Sequence, residues 1–201
     1  MLTVPTITVW SDYLCPWCYL GLDREQQLEE LGLTVVIRPF ELHREIPLAG
    51  RELREDGRTA MVFDHVGREC EAVGLPFRRP LRSPNTRAVL AAAEHVRRTQ
   101  PDVFPAVHRA LFAAHFAEGR DLGDAQVVDD VIAACGGDPV PVRDAVDDGS
   151  ASLAVDESMA EAWEHEVTGT PAFLLPSGFV VPGVQDRETM ARIAARMLER
   201  S

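Results

Sequence analysis

β-type sequence is confined to the two ends of this 201-residue chain, and few folds tolerate that distribution. Near the start, Ile7 and Val9 alternate with Thr6 and Thr8, which predicts a strand ending near Trp10. The stretch from Trp17 to Leu31 then places Leu20, Leu28 and Leu31 on one side and Glu and Gln on the other, an amphipathic helix that Gly32 stops. Leu33, Val35 and Ile37 alternate with Thr34 and Arg38 in a second strand ending before Pro39. Two strands joined by a helix imply a right-handed βαβ unit, so the sheet begins parallel. Near the other end, the short runs AFLL and FVV are split by Pro176-Ser177-Gly178, as a hairpin would be. Met190, Ile193, Ala194, Met197 and Leu198 then form the core-facing stripe of a last helix.

From Ile46 to Val167 strand signals almost vanish, and five helical segments separated by Pro, Gly and Asp are expected. Ser83-Pro84 supplies a cap and a proline for a helix through Arg98, and Asp124 caps one from Gln126 to Cys135 that Gly136-Gly137 ends. Ser150 begins another through His165. The expectation is one α/β core, residues 1–45 and 167–201, split by an all-helical insertion, residues 46–166.

Charge removes several classes of partner. The 20 basic residues, all arginine, face 32 acidic ones, a formal charge of −12 that repels phosphate backbones and anionic membrane surfaces. No stretch approaches the roughly 18 consecutive apolar residues of a membrane span, and MLTVPTITVWSD has neither a basic leader nor a small-residue cleavage site. The chain therefore reads as cytoplasmic, with no nucleic-acid or membrane partner.

Four cysteines are too few for a secreted disulfide scaffold. Cys15-Pro16-Trp17-Cys18 stands where the first strand turns into a helix, and C-x-x-C in that setting signals a redox dithiol. Cys15 there meets unpaired backbone N–H groups and the positive end of the helix dipole, which favour the thiolate that attacks disulfides. Cys18, one turn on, can resolve a mixed disulfide on Cys15. Pro16 suits the first helical turn, and Trp17 shields the pair or offers a substrate an apolar surface. A zinc site would need two more ligands, and no second C-x-x-C or paired Cys/His cluster accompanies this one, so no metal is expected. Cys70 and Cys135 continue apolar stripes and read as small core residues, with a second disulfide between them or a regulatory thiol as the alternatives. The six histidines show no motif and read as solvated or locally bonded, with His43 and His165 bordering the core strands. The acidic run from Asp144 to Asp156 reads as solvated surface, and Asp12, close enough in sequence to influence Cys15, reads first as a turn or cap residue and second as a proton relay.

The segment Ser11 to Gly21, SDYLCPWCYLG, together with Val167-Thr168-Gly169-Thr170-Pro171-Ala172-Phe173, resembles the DsbA family of thioredoxin-fold oxidoreductases, in its cytoplasmic FrnE-like branch. The match spans essentially the whole chain, including the helical insertion and Val184-Gln185 after Gly183. The resemblance implies a thioredoxin fold with an inserted all-helical domain and a thiol–disulfide oxidoreductase acting on protein or small-thiol substrates. It implies further that Pro171 is cis, with its loop against the dithiol and the Thr170 backbone pairing with an extended substrate segment. Two departures bear on function: Pro-Trp replaces the Pro-His of the strongly oxidising periplasmic members, and no export signal is read, which argues against making disulfides for secreted proteins. The alternative, weaker because the related kappa-class glutathione transferases and hydroxychromene-carboxylate isomerases carry serine where Cys15 stands, is a glutathione-linked isomerase or transferase acting on a small aromatic or polyketide-like molecule. No bound cofactor is expected, glutathione enters as a co-substrate, and a homodimer is allowed. A third reading, a non-catalytic binding module, would show a buried and unreactive Cys15.

Overall fold

A computed structural model describes residues 4–54 and 56–199; the first three residues of the segment read above for a leader lie outside it. Strand β1 (Thr6–Ser11) leads through a short loop into helix α1 (Pro16–Glu30), and strand β2 (Thr34–Pro39) returns parallel to β1, Ile7 opposite Val35. Gly32, at φ +93°, makes the reversal after α1 that a side chain would strain.

A two-residue pair, β3 (Arg51–Glu52) and β4 (Arg82–Ser83), brackets helix α2 (Gly57–Ala72). Helices α3 (Arg87–Thr99), α4 (Phe104–Phe116), α5 (Ala125–Ala134), α6 (Pro139–Asp147) and α7 (Ser150–Glu164) follow. Strands β5 (Ala172–Leu174) and β6 (Val180–Pro182) then form the hairpin, and α8 (Arg187–Leu198) closes the described chain. The main sheet has the order β2-β1-β5-β6, parallel only between β1 and β2. With the family resemblance this is the expected thioredoxin-like α/β fold, with helices inserted between β2 and β5.

The strand period of two sorts the core. Ile7 and Val9 face α1 and α8, packing with Leu28, Phe173, Met190 and Ala194. Trp10, on the other side, joins the larger core that Phe112, Phe116, Leu111 and Ile132 build from the insertion. No helix among the described residues is long and apolar enough to cross a membrane.

Three local expectations are corrected, and a fourth is narrowed. Among the described residues six helices, not five, lie between β2 and β5: α6 begins with prolines that act as breakers only in a helix interior, and Asp138 caps it by accepting from the Val140 N–H at 3.0 Å. The Ser83-Pro84 start is displaced to Arg87, because Ser83 is held extended opposite Arg51 and it is Asn85 that accepts from the Arg87 N–H. Leu198 is exposed at the end of its stripe, while Met190 and Ala194 are buried. His108 and His115 are buried, which leaves for them the bonded rather than the solvated form of the reading, His108 beside the Tyr13 hydroxyl and His115 beside the Arg120 carbonyl.

Candidate active site

Cys15 is the N-cap of α1 and Pro16 its first helical residue, so the cysteine carbonyl accepts from the Cys18 and Tyr19 N–H groups at 3.0 and 3.2 Å. The Cys15 N–H donates to the Asp12 carbonyl at 3.0 Å, closing a tight turn between strand and helix. The Thr170–Pro171 bond is cis, and the Cys15 thiol donates to the Thr170 carbonyl at 3.4 Å across 155 residues of sequence. The two distant motifs therefore meet. Pro171 packs over α1 at Gly21, where an added Cβ would stand 3.8 Å from the proline ring.

The two thiols are inequivalent. The hydrogen bond from Cys18 lowers the Cys15 thiol below the ordinary range, outweighing burial, and the Thr170 hydroxyl acts in the same direction. Burial raises Cys18 well above that range, and its bond to Cys15 adds to the rise. The pair is thus polarised toward a Cys15 thiolate with Cys18 holding its proton. Cys15 is only 3% exposed, which is the burial that a binding module would show. Pro16 and Trp17 are half-buried, and the Trp17 indole meets the His65 ring of α2 edge-on at 5.5 Å.

For Asp12 the structure adds burial to its nearness to Cys15 in sequence. Its carboxylate accepts from the Leu14 and Leu42 N–H groups at 3.3 and 2.8 Å, which agrees with a turn role, but the side chain is wholly buried beside the dithiol. Burial raises its pKa to about 6 despite those bonds, and its charge in turn raises Cys15. Beside it, the Tyr13 hydroxyl lies 3.0 Å from His108 Nδ1, and His108 Nε2 lies 3.3 Å from Glu25. These groups come from the loop, α4 and α1, and no sequence period links them.

The remaining candidates stay apart from the site. Cys70 is buried, with its thiol pushed up to about 12, Cys135 is half-buried and raised, and both are free. His43 bonds Glu45 at 2.9 Å, and the His165 ring lies 5.8 Å from that of Trp10. Asp156, the end of the acidic run, is paired with Arg87 and Arg44 rather than simply solvated. Among the described residues no three His, Cys, Asp or Glu side chains converge as a metal site would require.

Comparison with known proteins gives a family and a fold. The family of DSBA-like thioredoxin domains matches residues 6–194. A probable DsbA oxidoreductase from Streptomyces coelicolor superposes with a TM-score of 0.87 at 23% identity, covering 98% of this chain and 91% of its own. A 2-hydroxychromene-2-carboxylate isomerase follows at 0.77 and 21%, covering 97% and 96%. The cytosolic disulfide reductase DsbM from Pseudomonas aeruginosa, solved with GSH, gives 0.68 and 18%, covering 96% and 99%. At these identities the likeness establishes shared architecture.

Proposed function

The chain belongs to the family of DSBA-like thioredoxin domains, enzymes of thiol–disulfide exchange, and from that membership we propose a cytoplasmic oxidoreductase whose redox couple is Cys15 and Cys18. The observation that carries the reading is the polarised dithiol at the α1 N-terminus, with Cys15 Sγ 3.4 Å from the Thr170 carbonyl. The Cys15 thiolate attacks one sulfur of a substrate disulfide, forms a mixed disulfide and expels the other sulfur as a thiolate, which takes up a proton. Cys18 then loses its proton, with the buried Asp12 carboxylate as acceptor, and attacks Cys15 Sγ. The second substrate thiolate leaves, and two electrons have passed from the dithiol to the substrate.

Thr170 and Pro171 position the substrate segment beside Cys15, with Pro16 and Trp17 on the other flank. Substrates are disulfides of proteins or small thiols, and glutathione serves as the co-substrate that returns the oxidised pair to dithiol.

The decisive experiment equilibrates the Cys15–Cys18 pair across glutathione buffers and reads it by alkylation and intact mass. A reversible two-electron couple between about −270 and −120 mV is expected, the span of known dithiol exchangers. Cys15→Ser abolishes exchange, and Cys18→Ser accumulates the mixed disulfide. Normal exchange by Cys15→Ser would overturn the reading. Turnover of a small aromatic substrate that survives loss of both thiols would favour the isomerase alternative.

A further inference from the structure

The end of the sheet away from the dithiol carries a groove that the redox reading does not use. Its volume is about 920 Å³, and it is lined by the N-terminal end of β1, the β5–β6 hairpin and the last turns of α8. Phe179 stands on its wall, 64% exposed, with Val4 59% exposed beside the opposite end of the lining. The fifteen described residues that line it include no aspartate or glutamate, in a chain where 32 of 201 residues are acidic. The charges they bring are Arg196 and, when protonated, His165.

The hairpin register shows what the adjoining edge offers. Leu175 N–H bonds Phe179 O at 2.9 Å and Gly183 N–H bonds Pro171 O at 2.8 Å, so the intervening pair Phe173–Val181 also turns its backbone groups inward. Val180 and Pro182 therefore direct theirs to the open edge of the sheet. Pro182 has no N–H, and its carbonyl accepts from Gln185 Nε2 at 2.8 Å. One residue of β6, Val180, is left with an outward N–H and an outward C=O. That is too short for an extended strand to add, but it suits a two-fold axis, across which Val180 pairs reciprocally with its own copy.

We propose that this pole binds a second copy of the chain, the β6 edges meeting antiparallel at Val180 and each Phe179 entering the groove of the other copy. Charge selects the place. Two chains at −12 repel over most of their surfaces, and a lining free of carboxylates is where contact costs least. An exposed aromatic beside a groove on the same surface is also the self-complementary arrangement an isologous dimer requires. The dithiol lies beyond the opposite end of β1, so the dimer leaves both active sites open.

Sedimentation or light scattering on the full chain from 1 to 200 µM tests this, at about 20 and 300 mM salt. A concentration-dependent dimer is expected, tighter at the higher salt because screening weakens the repulsion. Phe179→Asp should raise its dissociation constant about 100-fold or more while leaving disulfide exchange unchanged, since the residue is exposed and remote from Cys15. A monomer at every concentration overturns the proposal, whether or not another protein binds the groove. So does a Phe179→Asp variant that dimerises as the parent does.

Discussion

Asp12 illustrates how one residue couples stability to chemistry. Its pKa, about 6 in the fold against 3.8 in the open chain, is raised mainly by burial, so the folded state favours the protonated carboxyl. That stabilisation is full below pH 3.8 and is lost as pH rises through 6. The shift corresponds to about 3 kcal/mol. Denaturant titrations of Asp12→Asn and the parent at pH 4 and pH 7 should differ in their pH dependence by most of that amount, about 2 kcal/mol, the variant gaining relative stability at the higher pH. A constant offset, expected from the N–H of Leu14 or Leu42 that loses its acceptor, does not change with pH. The Asp12 charge also raises the Cys15 thiol. Alkylation of the variant followed against pH should therefore show a thiolate that appears at lower pH.

Helix α1 carries the cysteines at its start and the Pro171 contact one turn later. Gly21 lies inside this helix without an unusual backbone, and a Cβ there would meet Pro171 at 3.8 Å and Glu25 at 3.9 Å, ordinary contact distances. Gly21→Ala should raise stability by about 0.5–1 kcal/mol, the cost of glycine in a helix interior, with exchange activity retained. Chemical denaturation against the parent reads this directly. A larger side chain would push the Pro171 ring from α1 and lower activity through the position of Thr170. The beginning of this element was legible because Pro16 and the strand before it leave one geometry for Cys15. Thr86 and Asn85 show where such reasoning stops: the β3–β4 pairing extends the chain through Ser83, and a distant strand partner decides where α3 begins.

The insertion is fastened to the sheet through a buried carboxylate. Glu94 of α3 accepts from Arg97 at 2.6 and 2.7 Å and from Arg98 at 2.7 Å, and lies 3.9 Å from Arg38 of β2. Arg38 also meets Glu161 of α7 at 2.9 Å. Burial alone would raise the Glu94 pKa, but the bonds from Arg97 and Arg98 outweigh it and hold the carboxyl below its ordinary value. A depressed carboxyl stabilises the fold above pH 4.5, and that contribution disappears as pH falls through the folded value. Glu94→Ala leaves three arginines facing a buried gap. It should cost about 2–3 kcal/mol at pH 7, less than a fully buried pair because the arginines are partly exposed. Thermal denaturation at pH 7 and pH 3 should show the loss mainly at the higher pH.

The sequence alone determined the strand–helix–strand start, the hairpin and helix near the other end, the parallel start of the sheet, and the dithiol at a strand-to-helix turn. Each follows from local rules: side-chain period, caps, and the φ and N–H demands of glycine and proline. Tertiary structure decided what depends on distant neighbours. It brought Thr170 to Cys15, buried Asp12 and so shifted its protonation, and set His108 of the insertion against Tyr13 of the redox loop. Burial and long-range pairing are properties of how elements pack, and no period within 201 residues encodes which loop will lie beneath which helix.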